Sequence, residues 1–233
     1  MNNIRENIES IRKDMEAAAV RGGKDPGDLL LIAVTKTRDP EEINSAIAGG
    51  ITDIGENKVQ EITDKYDRVD PVRWHMIGHL QTNKVKYIID KVSLIHSVDS
   101  LKLAREIDRR AGQCEKTMDI LIQINPAEEE SKFGIASDET GAMIHRILES
   151  CPNIRIRGLM SIAPLTEDPE TVRKYFREVH ELYLKYGSID HPAIDFKYLS
   201  MGMSNDYPVA IEEGANTVRI GRSIFGERNY NHQ

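Results

Sequence analysis

The feature that most constrains the fold is a regular alternation between short apolar runs and longer amphipathic segments. The apolar runs are four to seven residues long and bounded by turn residues, which is typical of fully buried strands. We predict strands at residues 29–34, 51–54, 74–77, 93–96, 118–124, 154–160, 196–199 and 217–220. An amphipathic helix precedes them at residues 2–20, and further helices are predicted at 40–48, 58–66, 81–90, 100–111, 137–150, 169–185 and 205–213.

The alternation also predicts how the strands are arranged. Strands joined through helices run parallel, because each helix carries the chain back to the start of the sheet. Eight such units can close a barrel, whereas a doubly wound sheet usually stops near six strands. The sequence contains no linker and no low-complexity tract. We therefore predict an α/β fold: a single (β/α)₈ TIM-like barrel with an extra N-terminal helix, formed by one domain over residues 1–233.

Composition excludes several classes of function. The net charge is −7 and the isoelectric point is near 5.6, which argues against a nucleic-acid or anionic-membrane binder. No apolar run approaches the roughly 20 residues that span a bilayer, and the N-terminus lacks the apolar segment of a signal peptide. Cys114 and Cys151 form no CxxC pair and favour reduced thiols. A cytoplasmic protein is the expectation.

Lys36 is the first candidate for chemistry, because it follows the buried run of the first strand in the motif AVTK. Loss of water lowers the pKa of an amine and makes it nucleophilic toward aldehydes. The functional interpretation is a lysine that forms a Schiff base. The alternative is a lysine that reaches a polar rim or pairs with a carboxylate. Taken alone, this feature favours the alternative.

Two turns after the seventh and eighth strands change that balance. Ser200, Gly202 and Ser204 lie in the turn SMGMS, and Gly221 follows the strand VRI. Exposed N–H groups in such turns bind anions, and barrels commonly place phosphate sites after strands seven and eight. Arg219 lies in the otherwise apolar eighth strand, where it would form a salt bridge or contact a ring nitrogen or an anion of a ligand. The two turns and the lysine together predict a binding site for a phosphorylated aldehyde.

Two histidines and an asparagine at neighbouring strand ends have ordinary alternatives. His75 and His79 have the HxxxH spacing of a zinc pair, but Gly78 separates them at a strand end and no third ligand is evident. We predict no metal site, and a histidine placed like His75 is more often a hydrogen-bonded core residue than a catalytic one. Asn57 follows the second strand, where it would cap a helix or donate to a ligand oxygen.

Seven stretches of the sequence resemble a known family. They are AVTKT at 33–37, IGENKVQE at 54–61, WHMIGHLQTNK at 74–84, SKFG at 131–134, GLMSI at 158–162, SMGMSND at 200–206 and VRIGRSIFGER at 218–228. Through them the chain resembles the pyridoxal phosphate homeostasis family, which is similar to the N-terminal barrel of alanine racemase, a fold type III barrel. Residues 125–130, NPAEEE, depart from the glycine-containing loop of that family.

The resemblance implies that the cofactor is pyridoxal 5′-phosphate (PLP), bound as a Schiff base on Lys36. It implies phosphate contacts from Ser200 and from the backbone of Gly221 and Arg222, with Arg219 beside the pyridine nitrogen. A guanidinium donates and cannot accept, so it would keep that nitrogen unprotonated and weaken the ring as an electron sink. The other pocket residues that the resemblance implies are Asn57, His75, Met160, Ser161 and Met201.

The resemblance further implies a PLP homeostasis protein without a robust catalytic cycle, and hence without catalytic residues. The racemase relatives carry a second, β-rich domain that supplies a catalytic tyrosine, and 233 residues leave no room for it. The implied partners are PLP and PLP-dependent client enzymes. A monomer is favoured, because there is no second domain to pair across.

Two other functions stay open at this point. An amino-acid racemase or a related PLP enzyme would need His75, Ser161 or Tyr207 as a proton donor. A class I aldolase acting on a phosphosugar would also use a barrel lysine and a phosphate site. The Schiff-base lysine of such aldolases usually lies on a later strand, which argues against this third hypothesis.

Overall fold

Eight parallel strands form a closed barrel in the computed structural model, which describes residues 3–129 and 131–227. Neighbours along the chain are neighbours in the barrel, and Leu30 of the first strand pairs with Thr217 of the last. The predicted (β/α)₈ barrel is therefore confirmed. The strands are β1 Leu30–Val34, β2 Asp53–Glu56, β3 Arg73–Met76, β4 Leu94–Val98, β5 Met118–Ile124, β6 Ile154–Ser161, β7 Ile194–Ser200 and β8 Thr217–Ile220.

Helices surround the barrel and bury their apolar faces against it. The α-helices of the described residues are α1 Ile4–Arg21, α2 Pro40–Ala48, α3 Val59–Lys65, α4 Leu101–Gln113, α5 Thr140–Ser150, α6 Arg173–Gly187, α7 Tyr207–Glu212 and α8 Arg222–Phe225. The predicted extra helix is α1, which buries Ile8, Ile11 and Met15 while packing on α2, α7 and α8. In the described part of the chain, no helix is long and apolar enough to cross a membrane.

Four predicted helices differ from the structure. The segment 81–90 forms only a 3₁₀ helix, Thr82–Tyr87, because its valine, tyrosine and isoleucine residues are poor helix formers. The segment 205–213 becomes the shorter α7, since Pro208 is tolerated only in the first turn. The segments 137–150 and 169–185 each begin as a 3₁₀ helix, Ser137–Glu139 and Pro169–Val172, and continue as α5 and α6.

The loop after β5 shows how the chain accommodates its departure from the glycine-containing family pattern. Glu128 adopts a left-handed backbone conformation with φ +49°, which is uncommon for a residue other than glycine. The side-chain amide of Asn125 donates from Nδ2 to the carbonyl of Glu129 at 3.0 Å and closes the turn. Residue 130 lies outside the described residues, as do Arg228 of the last family motif and both ends of the predicted domain.

Candidate functional site

A cavity of about 460 Å³ opens at the carboxyl ends of the strands, which is the end where barrels carry their functional groups. This volume is within the usual range for small-molecule sites. Lys36, Arg219, Gly221 and Arg222, all predicted site residues, lie in its wall. The other lining residues are Val34, Arg38, Pro164, Leu165, Thr166, Pro169, Met203, Ser204, Asn205, Asp206, Gly226 and Glu227.

Lys36 is half-buried just beyond the end of β1, and the backbone on both sides of it is held in place. On one side the hydroxyl of Thr35 donates to Glu56 Oε1 at 2.7 Å, and the Thr35 carbonyl accepts from Lys65 Nζ at 3.0 Å. On the other side the Thr37 N–H donates to Glu61 Oε2 at 2.6 Å, while Thr37 takes a left-handed φ of +62°. The surrounding structure therefore fixes where the Lys36 side chain leaves the strand.

A buried cluster of Glu56, Lys65 and Glu61 provides these anchors, and we call it the Lys65 cluster. Lys65 Nζ lies 2.8 Å from Glu56 Oε1 and 2.8 Å from Glu61 Oε2. Burial raises the pKa of Glu56, and the Lys65 ammonium only partly opposes this. Burial also acts to raise the pKa of Glu61, but hydrogen bonds from Lys65 and the Thr37 N–H outweigh it and lower that pKa.

The turn after β7 is closed by its own hydrogen bonds. Gly202 has φ +90°, and an added Cβ would lie 2.8 Å from the Tyr207 Cα, so only glycine fits. The N–H of Met203 donates to Asp206 Oδ1 at 2.6 Å, and the N–H of Asp206 donates to the Met203 carbonyl at 3.1 Å. Burial raises the pKa of Asp206. This bonding leaves Ser204 at the tip of the turn, in the cavity wall.

The turn after β8 brings a second piece of backbone to the cavity. An added Cβ on Gly221 would lie 3.1 Å from the Val34 carbonyl oxygen, so a larger residue would push β8 away from β1. The Gly221 carbonyl accepts from Ile224 and Phe225 and thereby starts α8. The first N–H groups of a helix have no partner within the helix, so those of Arg222 and Ser223 are open to a ligand anion.

Arg219 projects from β8 into the barrel at the cavity floor. Its Nη1 donates to the Ser200 carbonyl at 2.8 Å and to the Ser200 hydroxyl at 2.6 Å, and its Nη2 donates to the Ser161 carbonyl at 2.8 Å. Burial lowers the pKa of Arg219 to about 10, with Asp206 acting in the opposite direction. Among the described residues Arg219 forms no salt bridge, in contrast to one of the two roles expected for it.

A hydrogen-bonded chain continues from Arg219 into the barrel. The Ser200 hydroxyl lies 3.0 Å from His96 Nδ1, His96 Nε2 lies 3.0 Å from His75 Nδ1, and His75 Nε2 lies 2.8 Å from Asp53 Oδ1. Burial raises the pKa of Asp53, but hydrogen bonds from His75, Arg73 and Thr52 outweigh this and hold the pKa far below its usual range. His75 and Ser200 are thus parts of the barrel interior.

Six of the predicted pocket residues do not line the cavity. Met160 packs inside the barrel with Leu94 and Leu121, and Met201 belongs to the main hydrophobic core. The Ser161 side chain is buried, and within the described part of the chain its hydroxyl has no hydrogen-bond partner. Asn57 lies against Gly78, because a Cβ added to Gly78 would be 2.4 Å from the Asn57 carbonyl oxygen. The six residues are Asn57, His75, Met160, Ser161, Ser200 and Met201.

Sequence reasoning missed both supporting groups beneath the cavity. His96 lies in the apolar strand LIHSV and has no exposed surface, so it carries the same signal that drew attention to Arg219. Lys65 gave no such signal, since it falls at the end of an ordinary amphipathic helix. His79, the other half of the HxxxH pair, stacks on Phe133 with ring centroids 3.7 Å apart. The described residues contain no group of three potential metal ligands.

Comparison with known proteins agrees with this geometry. The sequence profile of the alanine racemase N-terminal domain matches residues 1–229. The pyridoxal phosphate homeostasis protein of Aquifex aeolicus is 42% identical over 230 residues, which cover 98% of this chain and 100% of that protein. The chain belongs to this family. The corresponding Escherichia coli protein is 37% identical over 237 residues, which cover 99% of each chain.

Two kinds of solved structure are similar to this barrel. PipY of Synechococcus elongatus with PLP bound has a TM-score of 0.80 and 31% identity, covering 96% of this chain and 100% of PipY. The alanine racemase of Clostridium difficile has a TM-score of 0.72 at 12% identity, covering 99% of this chain but 58% of the racemase. The second likeness shows the fold alone, and that racemase extends beyond the shared barrel.

The Lys65 cluster predicts a strong asymmetry between two lysine substitutions. Lys65→Met leaves Glu56 buried without its cation, so we expect the free energy of unfolding to fall by about 3–5 kcal/mol. The same substitution at Lys91, which pairs with the exposed Asp90, should cost less than about 1 kcal/mol. Urea denaturation of the cofactor-free protein measures both, and equal losses would contradict the assignment.

Asp53 predicts an acid-sensitive contribution to stability. Because its pKa in the folded state lies below the unfolded value of about 4, its contribution is present above about pH 4 and disappears as the pH falls further. Asp53→Asn should therefore destabilise the protein most near pH 7 and progressively less toward about pH 3. The exposed Asp67→Asn serves as the control and should show little change with pH. A penalty for Asp53→Asn that does not change with pH would refute this.

Proposed function

We propose that this chain binds PLP as a Schiff base on Lys36 and acts in PLP homeostasis without a robust catalytic cycle. The observation that carries the proposal is one cavity whose wall contains the Lys36 amine, the Arg219 guanidinium and the turns after β7 and β8. Support comes from the relatives named pyridoxal phosphate homeostasis proteins, matched over essentially their whole length, and from PipY with PLP bound.

The charges of the cavity suit a phosphorylated ligand. Four cationic side chains line it, against the two carboxylates Asp206 and Glu227. The phosphate would lie at the two turns, against the backbone of Gly221 and Arg222 and the side chain of Ser204. We propose Ser204 in place of Ser200 for the side-chain contact, because the Ser200 hydroxyl is buried and bonded to Arg219 and His96. The cationic residues are Lys36, Arg38, Arg219 and Arg222.

Arg219 would determine how the bound cofactor behaves. PLP supplies an aldehyde that an amine can trap and a pyridine ring that withdraws electrons. A guanidinium has five N–H groups and no acceptor, and Arg219 uses three of them on Ser200 and Ser161. The remaining Nε–H and one Nη2–H can face a ligand. A donor beside the ring nitrogen keeps it unprotonated, which favours holding the cofactor over using it.

The groups that would serve a racemase as proton donors are occupied or remote. The Tyr207 hydroxyl donates to Asp14 on α1 at 3.2 Å, and burial raises the pKa of Tyr207 to about 12. His75 is bonded to Asp53 and His96 inside the barrel. Ser161 is 1% exposed. General acid–base catalysis needs a group within hydrogen-bond reach of the substrate, so these positions support a carrier.

Three further parts of the proposal concern the setting of the protein. Cys114 and Cys151 are both free thiols, which supports a reducing compartment such as the cytoplasm. PLP-dependent client enzymes as partners and a monomeric state remain predictions from the family resemblance. An assay for α-proton exchange on several amino acids addresses catalysis, since turnover well above that of free PLP would favour the racemase alternative.

The Schiff base predicts a sharp difference between two lysines. The PLP-loaded protein should absorb visible light through the Schiff base, and borohydride should remove that absorbance. Lys36→Ala should lack the visible absorbance and therefore show no change on treatment with borohydride. Lys58→Ala removes an exposed lysine next to Asn57 and should leave both unchanged. A borohydride-sensitive chromophore that persists in Lys36→Ala would overturn the proposal.

A further inference from the structure

A continuous hydrogen-bonded chain runs through the barrel from one end to the other. It begins at Arg219 in the cavity floor and passes through Ser200, His96 and His75 to Asp53 at the start of β2. We call it the interior chain. None of its five side chains is more than 4% exposed. At the far end, Asp53 also accepts from Arg73 Nε at 2.7 Å and from Arg73 Nη2 at 2.6 Å.

The link between His96 and Ser200 crosses the barrel interior. His96 is on β4 and Ser200 is on β7, and these strands are not neighbours in the barrel. The 3.0 Å contact between them therefore spans the space inside. Most barrels fill this space with branched apolar side chains. Burying polar groups there costs free energy unless all of them are hydrogen-bonded. We therefore expect the interior chain to have a role other than filling the barrel.

The two ends of the interior chain dictate the direction of its hydrogen bonds. Asp53 is ionised and only accepts, so His75 donates to it from Nε2. Burial, with His75 and Arg219 nearby, holds the pKa of His96 well below its usual range, so His96 is neutral. At the other end Arg219 can only donate, so Ser200 Oγ accepts from it, and the Ser200 hydrogen is left for His96 Nδ1. His96 therefore carries its proton on Nε2 and donates it to His75 Nδ1. The tautomers follow from this bonding pattern.

The same direction continues to the cavity. His96 Nδ1 must then accept, so the Ser200 hydroxyl donates its hydrogen to His96. The lone pairs of Ser200 Oγ are left facing Arg219 Nη1, which donates to them at 2.6 Å. Both ring nitrogens of each histidine and the Ser200 hydroxyl have a partner in this arrangement, as groups buried this deeply require. The Ser200 hydrogen is consequently committed to His96.

We infer that His96, held by His75 and Asp53, is a positioning residue for Arg219, acting through the Ser200 hydroxyl to orient the guanidinium toward the cofactor ring. The inference rests on the proposed PLP site and adds the residues that set its geometry. It also assigns His75 a supporting role within the barrel and no contact with the cofactor. Asp53 fixes the direction of the interior chain from the opposite end of the barrel.

The test compares PLP binding by variants at two adjacent positions of β4. His96→Leu removes the acceptor of Ser200, and we expect PLP affinity to fall about tenfold as Arg219 loses its fixed orientation. His96→Gln can donate to His75 and accept from Ser200, so it should bind within about threefold of the natural protein. Ser97→Ala is the matched control, because the Ser97 hydroxyl is buried but has no hydrogen-bond partner among the residues that the structure describes. It should bind within about twofold.

Two further measurements separate positioning from folding. Melting temperatures of the cofactor-free variants identify any that are merely destabilised, and Ser200→Ala, which keeps the core volume, should show the same loss as His96→Leu. Nitrogen chemical shifts of the imidazole rings should place the proton of both histidines on Nε2. Equal affinities for His96→Leu and Ser97→Ala, or a His96 proton on Nδ1, would overturn the inference. Failure of the natural protein to bind PLP would refute the proposed function, and the imidazole shifts would still report on the interior chain.

Discussion

The buried guanidinium of Arg219 is the constraint on which the rest of the site depends. A charge at this depth is stable only when its donors are satisfied, and the barrel provides two carbonyls and a hydroxyl for it. Those acceptors come from β6 and β7, so the guanidinium ties three neighbouring strands together where the cavity begins. The same bonds leave part of its donor set for a ligand. Structural and functional demands thus meet in one side chain.

The position of Lys36 depends on a second buried cluster of hydrogen-bonded polar groups. The side chains of the Lys65 cluster, which come from β2 and α3, form hydrogen bonds with Thr35 and Thr37 on either side of Lys36. Buried ion pairs contribute little net stability, but their geometry is demanding. A lysine whose flanking backbone is held by such a cluster leaves its strand at a set position. Arg219 and Lys36 are therefore both placed by bonds made beneath the cavity.

Local pattern was sufficient for the barrel and for part of the site. The alternation of apolar runs and amphipathic helices predicts eight parallel strands, and Lys36 and Arg219 are visible as charged residues beside or within apolar strands. The interior chain could not be predicted, because the contact between His96 and Ser200 depends on which strands face each other across the closed barrel. The burial of Ser200 could not be predicted for the same reason.

The most direct test of the central claim is mass spectrometry of the PLP-loaded protein after borohydride reduction and proteolysis. Reduction makes the bond between the cofactor and its lysine permanent, so the labelled residue can be read from the peptides. We expect a phosphopyridoxyl group on Lys36, at close to one per chain and on no other lysine. A label on a different lysine, or one spread over several surface lysines, would contradict it.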